Sequence, residues 1–501
     1  MMDRAIDGFR LWLRKQIFVE QLSTPIGYLV LMTVAVGLGY VISMLGLQMG
    51  AVILVAIIGI PILAACLVEP MIGICISMIM GVVVGWLTKY KEAPFGMTLD
   101  ALLFVMFFGL LIRQVKERDF SFAKSPISVI ILIWVFYNLL QVLNPEAASR
   151  LAWLFTVRTM AGLILLYFIA CYALSSLARI KFMLKFIVAI GFISALYGLK
   201  QEFFGFSNAE ITWLNADEKR YQLIVQWSRT RIFSFFSDPT TYGIYMSYMA
   251  VFCMVLMTGP ISWAKRAFLG LAVVCMMLAM AYAGSRTPFV LVPFGIIIFL
   301  LATLKKEYIL AAGVVGILGL GLILKSTSNA VVYRIQSAFL LDKSDDTMQV
   351  RYNSQRKVRP FIHSHPFGAG LGATGVWGAR FSPDHWLSKI AHDSAFVRIS
   401  IELGIIGAIL FAIFLLTIVR TALYYYLRVK DPFIKTVYLG ILCVVFMLML
   451  ACYPQEAIPI LPTSVIFYTF LGMIVRLKDF DPAFRKAIPE KKARSAIGTA
   501  V

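Results

Sequence analysis

Fourteen apolar runs, most of them about as long as a lipid bilayer is thick, divide this sequence and leave little room for anything else. They lie at about 25–45, 50–68, 70–88, 97–113, 125–143, 151–175, 181–199, 239–258, 263–283, 288–304, 308–324, 395–419, 433–452 and 458–475. A bilayer span takes about 20 apolar residues. A backbone exposed to lipid must satisfy its own hydrogen bonds, so each run is read as a helix. The second and third runs are closely spaced, which gives twelve to fourteen spans. The expected fold class is therefore all-α, a polytopic membrane protein with residues 1–501 as one integral membrane domain. Charged residues make up 14% and hydrophobic ones 60% of the chain, against about 25% and 45–50% in soluble domains. A soluble globular enzyme, a coiled coil and a disordered scaffold are excluded. Residues 1–24 are polar and basic and the first run is long enough to span, so no cleavable signal peptide is expected.

The same composition carries 46 Lys and Arg against 26 Asp and Glu. With the amino terminus placed inside, the inward-facing segments hold 26 of those 46 basic residues, all in short connections. That is the pattern of the positive-inside rule, from which long translocated loops are largely exempt. Both termini are thus expected in the cytoplasm. Two substantial loops, 200–238 and 325–394, fall on the outer face and hold 5 and 9 of the remaining basic residues. All four histidines of the chain (363, 365, 385 and 392) lie in the second loop, with Arg334, Arg351, Arg356, Lys357, Arg359 and Arg380.

Three constellations gather on that outer face. The first is Arg229-Thr-Arg231-Ile-Phe-Ser-Phe-Phe-Ser-Asp238-Pro239. Ser237 or Asp238 suits a helix cap with Pro239 in the first turn. The two arginines then sit just outside a helix amino terminus, where free N–H groups, a positive dipole end and bidentate guanidinium forks suit a phosphate. Local chemistry alone equally permits anchors to lipid headgroups. The second is Gly284-Ser285-Arg286-Thr287-Pro288, the same chemistry in a tight turn. Two such sites on one face suggest a divided site for a diphosphate. The third is His363-Ser-His365-Pro-Phe-Gly368-Ala-Gly370-Leu-Gly372, followed by His392-Asp393-Ser394 and Arg398 to Glu402. The glycines let the backbone turn sharply or approach a ligand closely. Asp393 or Ser394 is placed to cap the next helix, with His392 at the membrane surface just before it. Arg398 and Glu402 are spaced to pair on one helix face, and histidine has the pKa for a general base on a sugar hydroxyl.

Arg158 lies inside the sixth run, about 12 Å deeper than Arg150 at 1.5 Å per residue. An intramembrane arginine is functional or paired. The four histidines have no accompanying acid or thiol spacing that matches a known zinc ligand pattern. The seven cysteines all lie in apolar runs without a CxxC pair, so neither a disulfide framework nor a thiolate metal site is expected.

In order, Arg231-Ile-Phe-Ser-Phe-Phe-Ser-Asp-Pro-Thr-Thr-Tyr-Gly, Gly-Ser285-Arg286, His365-Pro-Phe-Gly-Ala-Gly-Leu-Gly, His392-Asp-Ser-Ala-Phe and Glu402-Leu-Gly-Ile-Ile-Gly resemble the O-antigen ligase and polymerase family of bacterial inner-membrane glycosyltransferases. The resemblance covers about 195–410, including both outer loops. It implies a GT-C-like helical fold with a periplasmic site, a glycan donor on undecaprenyl diphosphate, and inverting transfer without metal or other cofactor. It also maps diphosphate binding onto Arg231 and Arg286 and the catalytic base onto His392. Family members often carry Asn after that histidine. Here it is Asp393, whose carboxylate would raise the pKa of the base.

The expected function is transfer of a lipid-diphosphate-linked oligo- or polysaccharide to an acceptor hydroxyl, either lipid A core (ligase) or another growing glycan (polymerase). Protein O-glycosylation is a third variant. Arg229, Arg158, Asp393, Arg398, Glu402, Arg351 and Arg359 are candidate supporting residues, and the partners are donor, acceptor and membrane lipids, with no nucleic acid. The rival from another class is a lipid-linked-glycan flippase. Transporters, however, place polar residues at the midplane and show two related halves, whereas here the charged features crowd one face.

Overall fold

A computed structural model of the protein describes residues 24–45, 47–90, 95–226, 229–324, 330–339, 346–390 and 394–485. These form two compact units, Met1–Cys66 and Leu67–Val501. The first holds helix α1 (Pro25–Leu45) and most of α2 (Leu47–Val68). The second continues through α3 (Pro70–Leu87), α4 (Phe95–Glu117), α5 (Pro126–Leu140), α6 (Arg150–Ala173) and α7 (Leu177–Phe204). Two short helices, α8 (Asn208–Asn215) and α9 (Glu218–Ile224), lead to a small hairpin of β1 (Val225–Gln226) and β2 (Arg229–Thr230). There follow α10 (Pro239–Met257), α11 (Trp263–Ala283), α12 (Arg286–Thr303), α13 (Lys306–Leu324), α14 (Ala330–Phe339), α15 (Asp346–Ser364) and α16 (Gly375–Phe381). The last are α17 (Ala395–Glu402), α18 (Gly404–Arg428), α19 (Pro432–Ala451) and α20 (Thr463–Leu477).

The all-α polytopic class expected from the sequence is what the chain adopts. Among the described residues, ten helices (α3 to α7, α10 to α12, α18 and α19) are long and apolar enough to cross a bilayer. Of the remaining runs, α1, α2 and α13 are apolar helices of 21, 22 and 19 residues. The last, α20, has only 15, as α5 does, but α5 reaches 18 with the 3-10 turn Gln141–Leu143 that continues it.

The starts are written locally. Ser125, Ser149 and Ser176 accept hydrogen bonds from Ile127, Ala152 and Arg179 N–H groups, opening α5, α6 and α7. Asp238-Pro239 and Asp431-Pro432 combine an Asx cap with a proline at the first helical position, where its missing N–H costs nothing. The most buried span, α10, packs against α11, α12 and α19. Tyr242, Tyr245 and Tyr248 are wholly buried along it.

Two features add to the expected layout. The connections 200–238 and 325–394 carry helices of their own, α8 and α9 in the first and α14 to α16 in the second. The run at 395–419 is also not one span, because the chain breaks at Leu403 and Gly404 into α17 and α18. Gly404 sits at φ 68°, the left-handed region that glycine enters without a steric penalty.

Candidate functional site

The segment from Arg229 to Asp238 runs along the membrane-surface ends of α3, α7, α10 and α11 and is pinned from beneath by a buried polar network. Gln201, near the end of α7, accepts through Oε1 from the N–H groups of Phe233 (3.1 Å) and Ser234 (2.7 Å). Its Nε2 donates to Glu210 Oε1 at 2.7 Å and to the Ser234 carbonyl at 3.3 Å. The Ser234 hydroxyl donates to the Ser194 carbonyl at 2.8 Å. Glu210 is itself fixed by a capping box with Ser207 at the start of α8. Lys89, just past the end of α3, donates to the Ser234 carbonyl at 3.1 Å and lies 4.1 Å from the Phe233 ring centroid. Burial pushes its ammonium down to about 7, against the opposing pull of the Glu210 and Asp238 carboxylates.

This scaffold holds Arg231 against the second constellation. Arg231 Nε donates to the Ala283 carbonyl at 2.8 Å, and Nη1 donates to the Leu223 carbonyl at 3.3 Å. Ala283 is the last residue of α11, and Gly284 (φ 61°) turns the chain into Ser285 and Arg286, where α12 begins. A side chain at Gly284 would stand 3.5 Å from Arg231 Nε. Two motifs separated by some fifty residues of sequence therefore meet at one turn. Burial pushes the Arg231 guanidinium down to about 10; the nearby Arg334 guanidinium acts the same way and the Asp238 carboxylate opposes both. Arg334 arrives on α14, which packs on α11 and α12, so a third cation converges on the turn. Arg229 ion-pairs with Glu202 and lies over the Tyr282 ring, 5.2 Å from its centroid. Its charge is therefore balanced by that carboxylate. Asp238, not Ser237, caps α10 through the Thr241 N–H at 2.8 Å.

The third constellation assembles around the break between α17 and α18. The Ala369 N–H donates to the Ile401 carbonyl at 2.8 Å, and the Asn144 amide donates to the Gly368 carbonyl at 3.0 Å. A Cβ on Gly404 would stand 2.0 Å from the Pro366 carbonyl oxygen. The close backbone approach that the glycines permit is thus to the protein itself. Arg398 pairs with Glu402 at 3.2 Å, as the spacing suggests, and also with Glu456 at 2.5 Å. Glu402 is buried and accepts from the Thr374 hydroxyl at 2.5 Å. This cluster ties α17 to the glycine-rich loop and to the connection between α19 and α20. Ser394 caps α17, and the Ala395 N–H donates to the Cys452 carbonyl at 3.0 Å.

His392 and Asp393 lie outside the described residues. His365 stacks on Phe361 at 4.0 Å and faces Glu146 at 3.8 Å, and His385 caps a short 3-10 turn at Trp386–Lys389. His363 is exposed. Among the described residues, no three His, Cys, Asp or Glu side chains are placed to hold a metal ion. Arg351 lies on α15, and Arg359 is exposed on the same helix with Arg356 and Lys357. Arg158 pairs with Asp100 of α4 at 3.1 Å. Lys89, Gln201, Glu210, Asp100 and Glu456 escaped the sequence reading. All but Glu210, which lies in the 200–238 connection, are polar residues in or beside an apolar run, a signal visible in the sequence but silent about the partner.

The fold and this geometry define a class: a multi-pass helical membrane protein with arginines from separate motifs converging at one membrane surface. Residues 271–412 match the family model described as O-Antigen ligase, the family to which the motifs pointed. The matched stretch contains Gly284-Ser285-Arg286, the glycine-rich loop and Glu402, while Arg229 and Arg231 precede it. No curated protein matches the chain. The match supports a glycosyltransferase role of the ligase and polymerase type.

Proposed function

We propose that the protein transfers a glycan from undecaprenyl diphosphate to an acceptor hydroxyl at the periplasmic surface of the bacterial inner membrane. The observation that carries this reading is the hydrogen bond from Arg231 to the carbonyl of Ala283, at the turn that leads to Arg286. A diphosphate seated there meets guanidinium groups from two motifs, with Arg334 close behind. Negative charge accumulates on the departing diphosphate as the anomeric carbon–oxygen bond breaks, and preorganised cations are most effective where charge develops. His392 takes the proton from the attacking hydroxyl while that oxygen bonds the anomeric carbon from the opposite face. The result is inversion in one step, with the undecaprenyl diphosphate as leaving group. Both chain termini are cytoplasmic in this reading, and neither metal nor cofactor takes part.

Purified protein incubated with undecaprenyl-diphosphate glycan, candidate acceptors and a chelator tests it. The expected product is a glycan-bearing acceptor, which His392→Ala no longer forms although it inserts normally. A mass shift on lipid A core, on a second lipid-linked glycan or on a protein identifies the acceptor class. Full transfer by His392→Ala removes the base assignment. Translocation of the lipid-linked glycan without transfer replaces the enzyme by a flippase.

A further inference from the structure

At the end of the bundle opposite Arg231, the same helices open into a groove of about 570 Å³. It lies between the start of α7, the end of α10, the start of α11 and the start of α19. Its walls are apolar, formed by Leu184, Val188, Leu256 and Phe268, with Gly259 and Pro260 closing the turn between α10 and α11. Its charged lining is of one sign only: Lys181, Lys185 and Lys265. Lys181 and Lys185 are four residues apart on one face of α7, and Lys265 lies in the first turn of α11. All three are exposed, and Lys181 lies 4.9 Å from the Phe433 ring centroid, held along the wall. No acidic residue lines the groove. Asp431, two residues before Phe433, uses Oδ1 to cap α19 through the Ile434 N–H at 2.9 Å.

An apolar slot rimmed by three lysines and no acid has the chemistry of one kind of ligand, an amphiphile with an anionic head and aliphatic tails. We infer that this groove is a binding site for an anionic phospholipid of the leaflet remote from the arginine cluster, its phosphate among Lys181, Lys185 and Lys265 and an acyl chain along Leu184, Val188 and Leu256. Orientation alone accounts for lysines at this end, but not for their placement around an apolar cavity. The junction of α12 and α13, with Lys305 before α13 and Lys306 as its first residue, is the internal comparison: it carries two lysines and does not line the groove.

Native mass spectrometry of the detergent-purified full chain, titrated with phosphatidylglycerol or phosphatidylcholine, tests the inference. The expected result is preferential retention of one phosphatidylglycerol. One lysine at a membrane surface contributes roughly fivefold in affinity. The combined variant Lys181→Gln, Lys185→Gln and Lys265→Gln should therefore lower that retention at least about tenfold. Lys305→Gln with Lys306→Gln should leave it unchanged. Val188→Trp, which fills the slot and keeps every charge, should also expel the lipid, with an unchanged melting temperature reporting intact folding. Equal losses in the groove and comparison variants would mean general charge attraction and overturn the site. Bound phosphatidylglycerol in Val188→Trp would place the chains elsewhere, and its displacement by inorganic phosphate would make the ligand a free anion. Either result sinks the proposal.

Discussion

Arg231 reaches the Ala283 carbonyl through Nε, a bond that a guanidinium makes while its terminal nitrogens remain directed at other groups. Among the described residues Nη1 and Nη2 make long contacts, to the Leu223 carbonyl at 3.3 Å and Thr240 Oγ1 at 3.5 Å. Lysine carries its charge at one point and cannot hold the turn and a phosphate together. Arg231→Lys should therefore fold normally and lose at least about tenfold in transfer, each factor of ten being about 1.4 kcal/mol of transition-state stabilisation; wild-type turnover in that variant removes the diphosphate role. Beneath Arg231, Lys89 gives a pH signature of definite sign. Its folded pKa of about 7 lies below the ordinary lysine value of 10.5, so between those values the unfolded chain holds the extra proton. Stability gains from this group as pH rises through that window, by at most about 1.4 kcal/mol per pH unit. Below pH 7 the cost of burying the charge is present in full. Melting temperatures of wild type and Lys89→Met from pH 7 to 10 check this: the wild type should gain on the variant as pH rises, and parallel curves would refute it.

Between α17 and α18 the chain turns through a residue whose replacement has an unambiguous consequence. A Cβ at Gly404 would collide with the Pro366 carbonyl oxygen at 2.0 Å, on a backbone already at positive φ. Gly404→Ala should cost at least about 2 kcal/mol and loosen the contact between the glycine-rich loop and α17. Gly316→Ala, in α13 where nothing lies within 4 Å, should be neutral or stabilising by up to about 1 kcal/mol. Thermal unfolding in detergent compares the two. Removing Arg398 is the harsher test of the same junction, since buried Glu402 would lose its cation, a loss of about 3–5 kcal/mol for a broken buried pair. These elements also show how much the sequence disclosed. Apolar runs announce helices because lipid leaves the backbone no alternative, and Asp238-Pro239 announces a start through its own local bonds. The i,i+4 pair of Arg398 and Glu402 was equally visible. Glu456 was not, because its meeting with Arg398 joins residues 58 apart and no local pattern records a contact of that range. The same holds for Gln201, whose two bonds to the Phe233 and Ser234 N–H groups set the course of the Arg231 segment. It was also unreadable that a Cβ on Gly368, Gly370, Gly372 or Gly404 would meet the protein's own atoms, since a tight turn and a close approach require the same residue.

Across the whole molecule the formal net charge of +20 has to be compatible with one orientation in the membrane. The Arg231–Ala283 bond sits at the C-terminal end of α11 and close to the N-terminal ends of α10 and α12. The lysine-rimmed groove uses the opposite ends of α10 and α11. If short basic connections set the orientation, the groove end is cytoplasmic and the arginine cluster periplasmic, where a lipid-linked donor awaits transfer. Single cysteines decide it. Ala216 and Ser262 are exposed, one after α8 near the arginine cluster and the other before α11 at the groove. Five of the seven native cysteines are buried and the other two, Cys75 and Cys275, are partly so within helices, so background reactivity should be small. A membrane-impermeant maleimide added to cells with a permeabilised outer membrane should label Ala216→Cys at once and Ser262→Cys only after the inner membrane is broken. The reverse pattern would put Arg231 and Arg286 in the cytoplasm, where short basic loops would no longer account for the charge, and a periplasmic transfer reaction could not use them. Labelling of both variants in unbroken membranes would contradict the expected bilayer separation between the ends of α11.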